Sequence, residues 1–553
     1  MNRVRRIKCD EIRPSCHRCT STGRICDGYE QESSAVRDAA MRRKGKRLLM
    51  PQQRVTERTA IIMPRYQMIS SQSLPVVESQ AFAFFREHTL RGILGCFESS
   101  HLESLVLQLS LNETSVRHAA VAVGAIHRSM RGRCPSLQID SFIELTNSFA
   151  VNQYVQSLND LRKRLNGPKD FEREHIALVS CLLFICFEML QGNRPGAVAH
   201  LRMGLRILLT SSSPSIYSKS NEGSLLSCND SRSRISNFDK LAEKYASLDY
   251  ESTMFGEQSP ILTLASSRDN MGPSPEVSNY FMEIEDARKS LGILSNAVYR
   301  LRGALLHLAA REMGNESYGD WVVRYCVAYS SIRTVNLSER TSLLQQQSCL
   351  KFSLERWASA FGVFSNSLGH HNARPLIVLE MQHFYIYFLI CTLRDTHEDA
   401  CDLFNSTFQR MVDLGHQFVD ATSSKHASSG PQLTFRLESG IIPSLYLVAM
   451  KCRNKRIRHD AITLLDRTQC QEGMWEGSLV ARFVAEVAKI EENKAGIRNG
   501  RNDNHAIYIP ESARFSDVVV AMSETAGYGR LICARYAHES TGELEISERT
   551  FQL

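Results

Sequence analysis

Four cysteines fall within 18 residues in the order Cys9-x6-Cys16-x2-Cys19-x6-Cys26, and no other feature narrows the fold of this chain as far. Thiolates two residues apart can grip one tetrahedral zinc ion, so a compact array of this kind reads as a metal site rather than a disulfide framework. The other twelve cysteines, such as Cys96, Cys181, Cys186 and Cys391, are scattered, often within apolar runs. They read as reduced, small core hydrophobes. Residues 1–8 are basic but lead into no apolar leader segment. No uninterrupted apolar run approaches the roughly 18–20 residues of a membrane span, the best being residues 177–187 and 385–393, so a secreted or membrane protein is not expected.

Charge divides the chain at the same place. Residues 1–50 hold 13 Lys and Arg against 6 Asp and Glu, whereas the other 503 positions hold 53 of each. The whole net charge of +7 sits in the first tenth of the sequence. A small basic head on a neutral body is expected to attract polyanions over about a Debye length, while the body regulates or catalyses. With 43% hydrophobic and 23% charged residues, a chain of 553 residues has material for a large core and more than one unit.

The residues around the four cysteines, RVRRIKCDEIRPSCHRC from Arg3 and GRICDGY from Gly23, resemble the fungal binuclear zinc cluster, a DNA-binding domain in which six cysteines hold two zinc ions. Cys9, Cys16, Cys19 and Cys26 match the third to sixth family ligands, and Pro14 matches the loop proline. The second family cysteine would fall at Asn2 and the first before Met1. In the family the first and fourth cysteines bridge the metals, so by resemblance one zinc would keep Cys9 and Cys16 and the other Cys16, Cys19 and Cys26. Residues 1–553 therefore cannot close the two-zinc cluster, and at most one zinc is expected. A start assigned too late and a true truncation leaving a degenerate or one-zinc site both stay open. His17 is a conceivable substitute ligand, although it reads better as an exposed helix residue.

By the same resemblance Arg5 and Arg6 would reach base edges in the major groove of double-stranded DNA, and Arg3, Lys8, Arg13 and Arg18 would meet phosphates. The guanidinium fork can bond guanine O6 and N7 together, and the family favours CGG-type half-sites. A second basic run, RRKGKR at residues 42–47, reads as a nuclear import signal or as extra phosphate contacts.

Beyond residue 75 the pattern turns helical. Residues 116–130, 176–190, 197–209, 280–308, 343–364, 375–393, 442–465 and 474–492 carry apolar positions at helical spacing. Residues 211–236 hold 11 serines, and polar sequence runs on to 278, which reads as a mobile insertion. Only residues 514–522 and 529–536 have the β-branched, aromatic look of a hairpin. Residues 116–127, 177–205 and 445–475 resemble the fungal-specific transcription factor domain, an all-helical region behind binuclear clusters that restrains or transmits activation. Some of its members sense small molecules.

The expected architecture is mainly α: a partial zinc cluster at 1–30, a basic linker at 31–74 and a regulatory domain at 75–540, with a candidate carboxy-terminal hairpin. No Walker loop, His-Glu-x2-His pair, Gly-x-Ser-x-Gly elbow or dinucleotide turn appears, so an enzyme is not expected. His118, His127 and His200 read as core or rim histidines, Glu491-Glu492 as a solvated helix end, and residues 453–459 as an exposed helical turn. The aromatic positions at 184–189 and 383–388 read as core, and a small-molecule cavity cannot be placed from the pattern. The function expected is a nuclear, sequence-specific transcription factor acting on RNA polymerase II genes, with a homodimer and a small-molecule effector as candidate partners. The alternative is an interaction protein whose degenerate cluster binds no DNA.

Overall fold

The computed structural model describes residues 75–97, 100–131, 140–167, 172–210, 237–255, 257, 259–262, 275–312, 321–332, 341–368, 373–395, 397–423, 434–496, 509–522, 528–536 and 544–552, together with Ser21. The chain divides into two units, Met1–Gln67 and Met68–Leu553, and the described elements belong to the second.

Helices α1 (Val76–Phe84) and α2 (Leu90–Leu94) are joined by a π-helical turn, Phe85–Thr89. They are followed by α3 (Ser100–Asn112), α4 (Thr114–Arg131), α5 (Asp140–Asn166), α6 (Glu172–Leu190), α7 (Arg194–Thr210) and α8 (Asn237–Ser252). These helices enclose the first core. The α6 helix is buried nearly all round, which is why its sequence is apolar on every face, whereas α4 keeps Arg117, Arg128 and Arg131 on a less buried stripe. The α8 helix corrects the expectation of a mobile insertion to residue 278. Its Phe238, Leu241, Ala242 and Tyr245 face the core at i, i+3, i+4 and i+7. Tyr245 crosses Gly204 of α7, where a Cβ would stand 2.1 Å from its ring, and donates a hydrogen bond to the Leu178 carbonyl of α6 at 2.7 Å. Residues 211–236 lie outside the described residues.

A second helical group, α9 (Ile284–Glu312), α10 (Trp321–Ser331), α11 (Thr341–Leu368) and α12 (Ala373–Thr392), builds another core around Trp357. Within α12, Arg374–Thr392 is long and apolar enough to cross a membrane by length and composition. It serves instead as a shared wall: Leu376, Leu379, Ile386 and Ile390 face the Trp357 core, while Ile377, Val378, Met381 and Phe388 face the next one. A helix buried on two sides must be apolar on both.

That third core is closed by α13 (Asn405–Ser423), α14 (Ile442–Lys451), α15 (Lys455–Arg467) and α16 (Gly477–Lys494). The single helix expected over 442–465 is broken at Cys452–Asn454. Asn454 caps α15, its Oδ1 accepting from Ile457 N at 3.3 Å. Two small sheets accompany the helices. In one, β1 (Thr434–Arg436) runs parallel to β2 (Cys470–Glu472), which pairs antiparallel with β3 (Trp475–Glu476). In the other, β4 (Asp517–Met522), β5 (Tyr528–Tyr536) and β6 (Leu544–Gln552) form an antiparallel meander, so the expected hairpin has a third strand. Among the described residues, helix dominates and the fold is mainly α, as expected.

The strap from β1 to α14 ties these parts together. The Leu437 N–H donates to the Gly92 carbonyl at 3.1 Å, and a Cβ on Gly92 would stand 2.0 Å from the Phe435 carbonyl oxygen. The buried Glu472 carboxylate accepts from the N–H groups of Gly440, Ile441 and Ile442, satisfying the open donors where α14 begins. Glu438 pairs with Lys244 of α8 and Arg288 of α9, both at 2.9 Å. Burial alone would raise the Glu438 carboxyl, but these two cations hold it below the usual range. Glu251, whose Oε2 accepts from Ser439 N at 3.1 Å and Ser439 Oγ at 2.8 Å, has no such cation among the described residues. Burial, and then the Glu438 charge, push its pKa up to about 7.

The folded state holds this proton more tightly than the unfolded chain does. Its contribution to stability is present below about pH 4.5 and is lost as pH rises through about 7. Glu251→Gln keeps an accepting oxygen for Ser439 and carries no charge. It should gain stability relative to the parent between about pH 5 and pH 8, flattening the profile of melting temperature against pH. Parallel profiles for the two proteins would refute this.

Candidate functional site

The sequence-derived candidates Cys9, Cys16, Cys19 and Cys26, and Arg3, Arg5, Arg6, Lys8, Arg13 and Arg18, lie outside the described residues, as does the run at 42–47. Among the described residues, no group of three or more His, Cys, Asp or Glu side chains could hold a metal ion. The donor chemistry of the head itself fits zinc: four thiolates are the full complement of one tetrahedral ion and two short of the six-thiolate, two-ion cluster.

Within the body the feature with the shape of a binding site is a cavity of about 480 Å³ among α12, α14, α16 and β4. Phe388 and Leu389 of α12, Leu447 and Met450 of α14, and Leu479 and Phe483 of α16 contribute apolar wall. The alternation of β4 closes one side: Val518 and Val520 pack toward the third core, whereas Val519 packs against Cys326 of α10 and Ile532 of β5. Met254, Arg302 and Ile332 reach in from the α8–α10 side, Gly192 and Arg194 from the α6–α7 turn, and Met474 from the β2–β3 turn. Tyr446 leans on Trp475, ring centroids 5.1 Å apart. Its hydroxyl has no hydrogen-bond partner among the described residues, and burial pushes its pKa up. The 383–388 run is thus split in role. His383 is core, stacked on Trp357, while Tyr385 and Phe388 line the cavity.

One wall of the cavity rests on a buried ion network that sequence reasoning placed in solvent. Lys451 at the end of α14 donates to both Glu398 oxygens at 3.0 and 3.1 Å and to the Ser516 carbonyl at 2.5 Å. Arg453 bridges Glu398 at 3.0 Å and Glu491 at 2.8 Å, and Arg458 meets the other Glu491 oxygen at 2.7 Å. Glu491 also accepts from Phe515 N at 2.8 Å, and Arg514 pairs with Asp402 at 2.8 Å. Arg458 and Glu491 are fully buried, so the solvated end expected at Glu491 is corrected, and the exposed turn expected at 453–459 holds for Asn454, Lys455, Arg456 and His459 but not for Arg453, Ile457 and Arg458. Burial alone would raise the Glu491 carboxyl, yet Arg453 and Arg458 hold it below the usual range. Glu492 does lie nearer the surface, paired with the half-exposed His459 at 3.0 Å.

The three helix histidines are accounted for by structure. His127 is buried with Nδ1 2.9 Å from Thr89 Oγ1, and burial, followed by the Arg131 charge, lowers its pKa to about 3. His118 contacts Gln153 at 2.6 Å and His200 contacts Tyr154 at 2.8 Å.

Residues 81–478 match the family model described as the fungal specific transcription factor domain, and residues 3–35 match the fungal Zn(2)-Cys(6) binuclear cluster domain. The chain belongs to the fungal-specific transcription factor family. A curated relative of the regulator, the "Aspercryptin biosynthesis cluster-specific transcription regulator atnN" of Emericella nidulans, is 25% identical over 92% of this chain and 89% of its own. The "Transcription regulator lscL" of Purpureocillium lilacinum is 27% identical over 37% of this chain and 47% of its own. No solved structure gives a significant match. Zinc is the cofactor of the matched head domain, and residues 3–35 hold four of the six cysteines in the family's cluster.

Removing one partner from a buried pair strands the other charges. Glu491→Ala should cost the regulator about 3–5 kcal/mol in urea unfolding, because Arg453, Arg458 and the Phe515 N–H all lose their acceptor. Glu492→Ala, next in sequence but paired with the half-exposed His459, should cost about 1 kcal/mol or less. Equal losses would contradict the network.

Proposed function

We propose that the chain is a nuclear, sequence-specific DNA-binding regulator of RNA polymerase II transcription. The observation that carries this is the order of its parts. Thiolates spaced for zinc, flanked by arginines, lie in residues 3–35, and the helical domain of the same family follows at 81–478. In this reading residues 1–30 are the DNA-binding head, 31–74 a basic linker with the import signal, and 75–540 the regulatory body. Cys9, Cys16, Cys19 and Cys26 hold zinc and so fix the backbone that aims Arg5 and Arg6 at guanines of a CGG half-site. Arg3, Lys8, Arg13 and Arg18 neutralise phosphates. The name of the Emericella relative supports a biosynthetic gene cluster as the class of target. The chain acts as a binder and not as an enzyme, with a homodimer and a small-molecule effector as its further partners.

The alternative reading is an interaction protein in which the four cysteines of residues 3–35 form a degenerate cluster. With one zinc or none, the head would not bind DNA and the body would act through other proteins.

Elemental analysis should find at most one zinc in residues 1–553, and two in the same chain preceded by a further Cys-x2-Cys pair at family spacing. In that extended chain, fluorescence anisotropy on a CGG duplex should show Arg6→Ala losing about 1–3 kcal/mol and much of its preference over scrambled DNA. Arg13→Ala should weaken both duplexes alike and reduce the salt dependence. Two zinc ions held by residues 1–553 would overturn the ligand assignment. Absence of CGG preference in both chains would select the second reading.

A further inference from the structure

The cavity behind β4 is lined mainly by apolar side chains, with a few charged ones among them. At about 480 Å³ it lies within the roughly 300–1,000 Å³ range of pockets that enclose small organic molecules. Its charged side chains are already engaged. Lys451 is held by Glu398 and Ser516, and Asp517 accepts from Ser330 Oγ at 2.8 Å. Arg302 lies over the Tyr299 ring at 5.8 Å, and Glu476 accepts from Ser478. Arg194 is half-buried and is engaged by an interaction of its own within the protein. A charged guest would give up its hydration among leucines, valines and aromatic rings and find no free counter-charge. Trp475 and Phe483 offer flat apolar faces, while Met254, Met450 and Met474 are unbranched and can adjust to a guest's outline. Against that surface stands the Tyr446 hydroxyl, which makes no hydrogen bond with the described residues.

We propose that this cavity is a binding site for a neutral, largely apolar, ring-containing small molecule that exchanges one hydrogen bond with Tyr446. The proposal deepens the effector named under the proposed function and rests on that reading for its regulatory meaning. Binding itself does not depend on it. Because Ser516, immediately before β4, and Lys451, at the end of α14, both line the cavity and contact each other, the guest would touch the segments that the ion network holds.

Two fluorescent probes of one carbon frame decide it. N-phenyl-1-naphthylamine is neutral, and 8-anilinonaphthalene-1-sulfonate adds a fixed negative charge. Titrated into the full chain without DNA, the neutral probe should bind saturably, one per chain, about tenfold or more tighter than the sulfonate. Val520→Trp on β4 and Leu479→Trp on α16 should each abolish saturable binding while retaining the parent's cooperative melting. Tyr446→Phe preserves the shape and should weaken the neutral probe about threefold to tenfold, which keeps the test valid if either tryptophan variant fails to fold. Equal or tighter binding of the sulfonate would overturn the ligand class. Failure of the neutral probe to bind, or unchanged binding in every folded variant, would overturn the site. Loss of DNA preference in a chain that still binds the neutral probe would count against the proposed function alone.

Discussion

The carboxylate of Glu491 is the point on which the carboxy-terminal half is hung. A bare carboxylate at zero exposure would be untenable, and it is tolerated because Arg453, Arg458 and the Phe515 N–H surround it. Those partners come from the α14–α15 break, from α15 and from the segment entering β4, so one group fixes the angle at which three elements meet. The break itself follows from this. For Arg453 to reach both Glu398 and Glu491, the chain must leave the helical path at Cys452, and Asn454 restarts it.

The same economy appears at the other joint of the body. Glu472 and Glu251 accept the backbone donors of the strap at 439–442, and Glu438 from that strap binds Lys244 and Arg288. Buried carboxylates thus link the first core to the Trp357 core and both to α14. A body with equal numbers of acidic and basic residues beyond position 50 can build such joints without adding net charge, leaving the head as the source of long-range attraction for polyanions.

What could be read in the sequence was whatever is encoded locally. The cysteine spacing needs no tertiary context, and helices such as α4 and α9 declare themselves through their own period. The α8 helix was hidden by its setting. Its core face of Phe238, Leu241, Ala242 and Tyr245 was visible at helical spacing, but serine-rich sequence before it and polar sequence after it outweighed four residues. The β6 strand was missed because its charges mask alternation. Glu548 pairs with Arg530 and Glu545 with Arg535 across the ladder, so the strand is held by charge complementarity that only its neighbour reveals. The burial of Arg453 and Glu491 was illegible for the same reason, since each partner lies tens of residues away. The cavity, whose walls run from Gly192 to Val520, has no local signature.

The contact between Gly92 and the Phe435–Leu437 strand bears on how the chain comes off the ribosome. The first core includes Phe435 and Leu437, yet these residues emerge roughly 340 positions after α2, on the order of tens of seconds later at ordinary elongation rates. Until then α2 lacks the strand that packs on it at Gly92, and everything translated in between must fold without closing over that side. Nascent chains arrested before residue 435 would therefore be expected to hold on to general chaperones, and release would follow the arrival of one short strand rather than the completion of any helix.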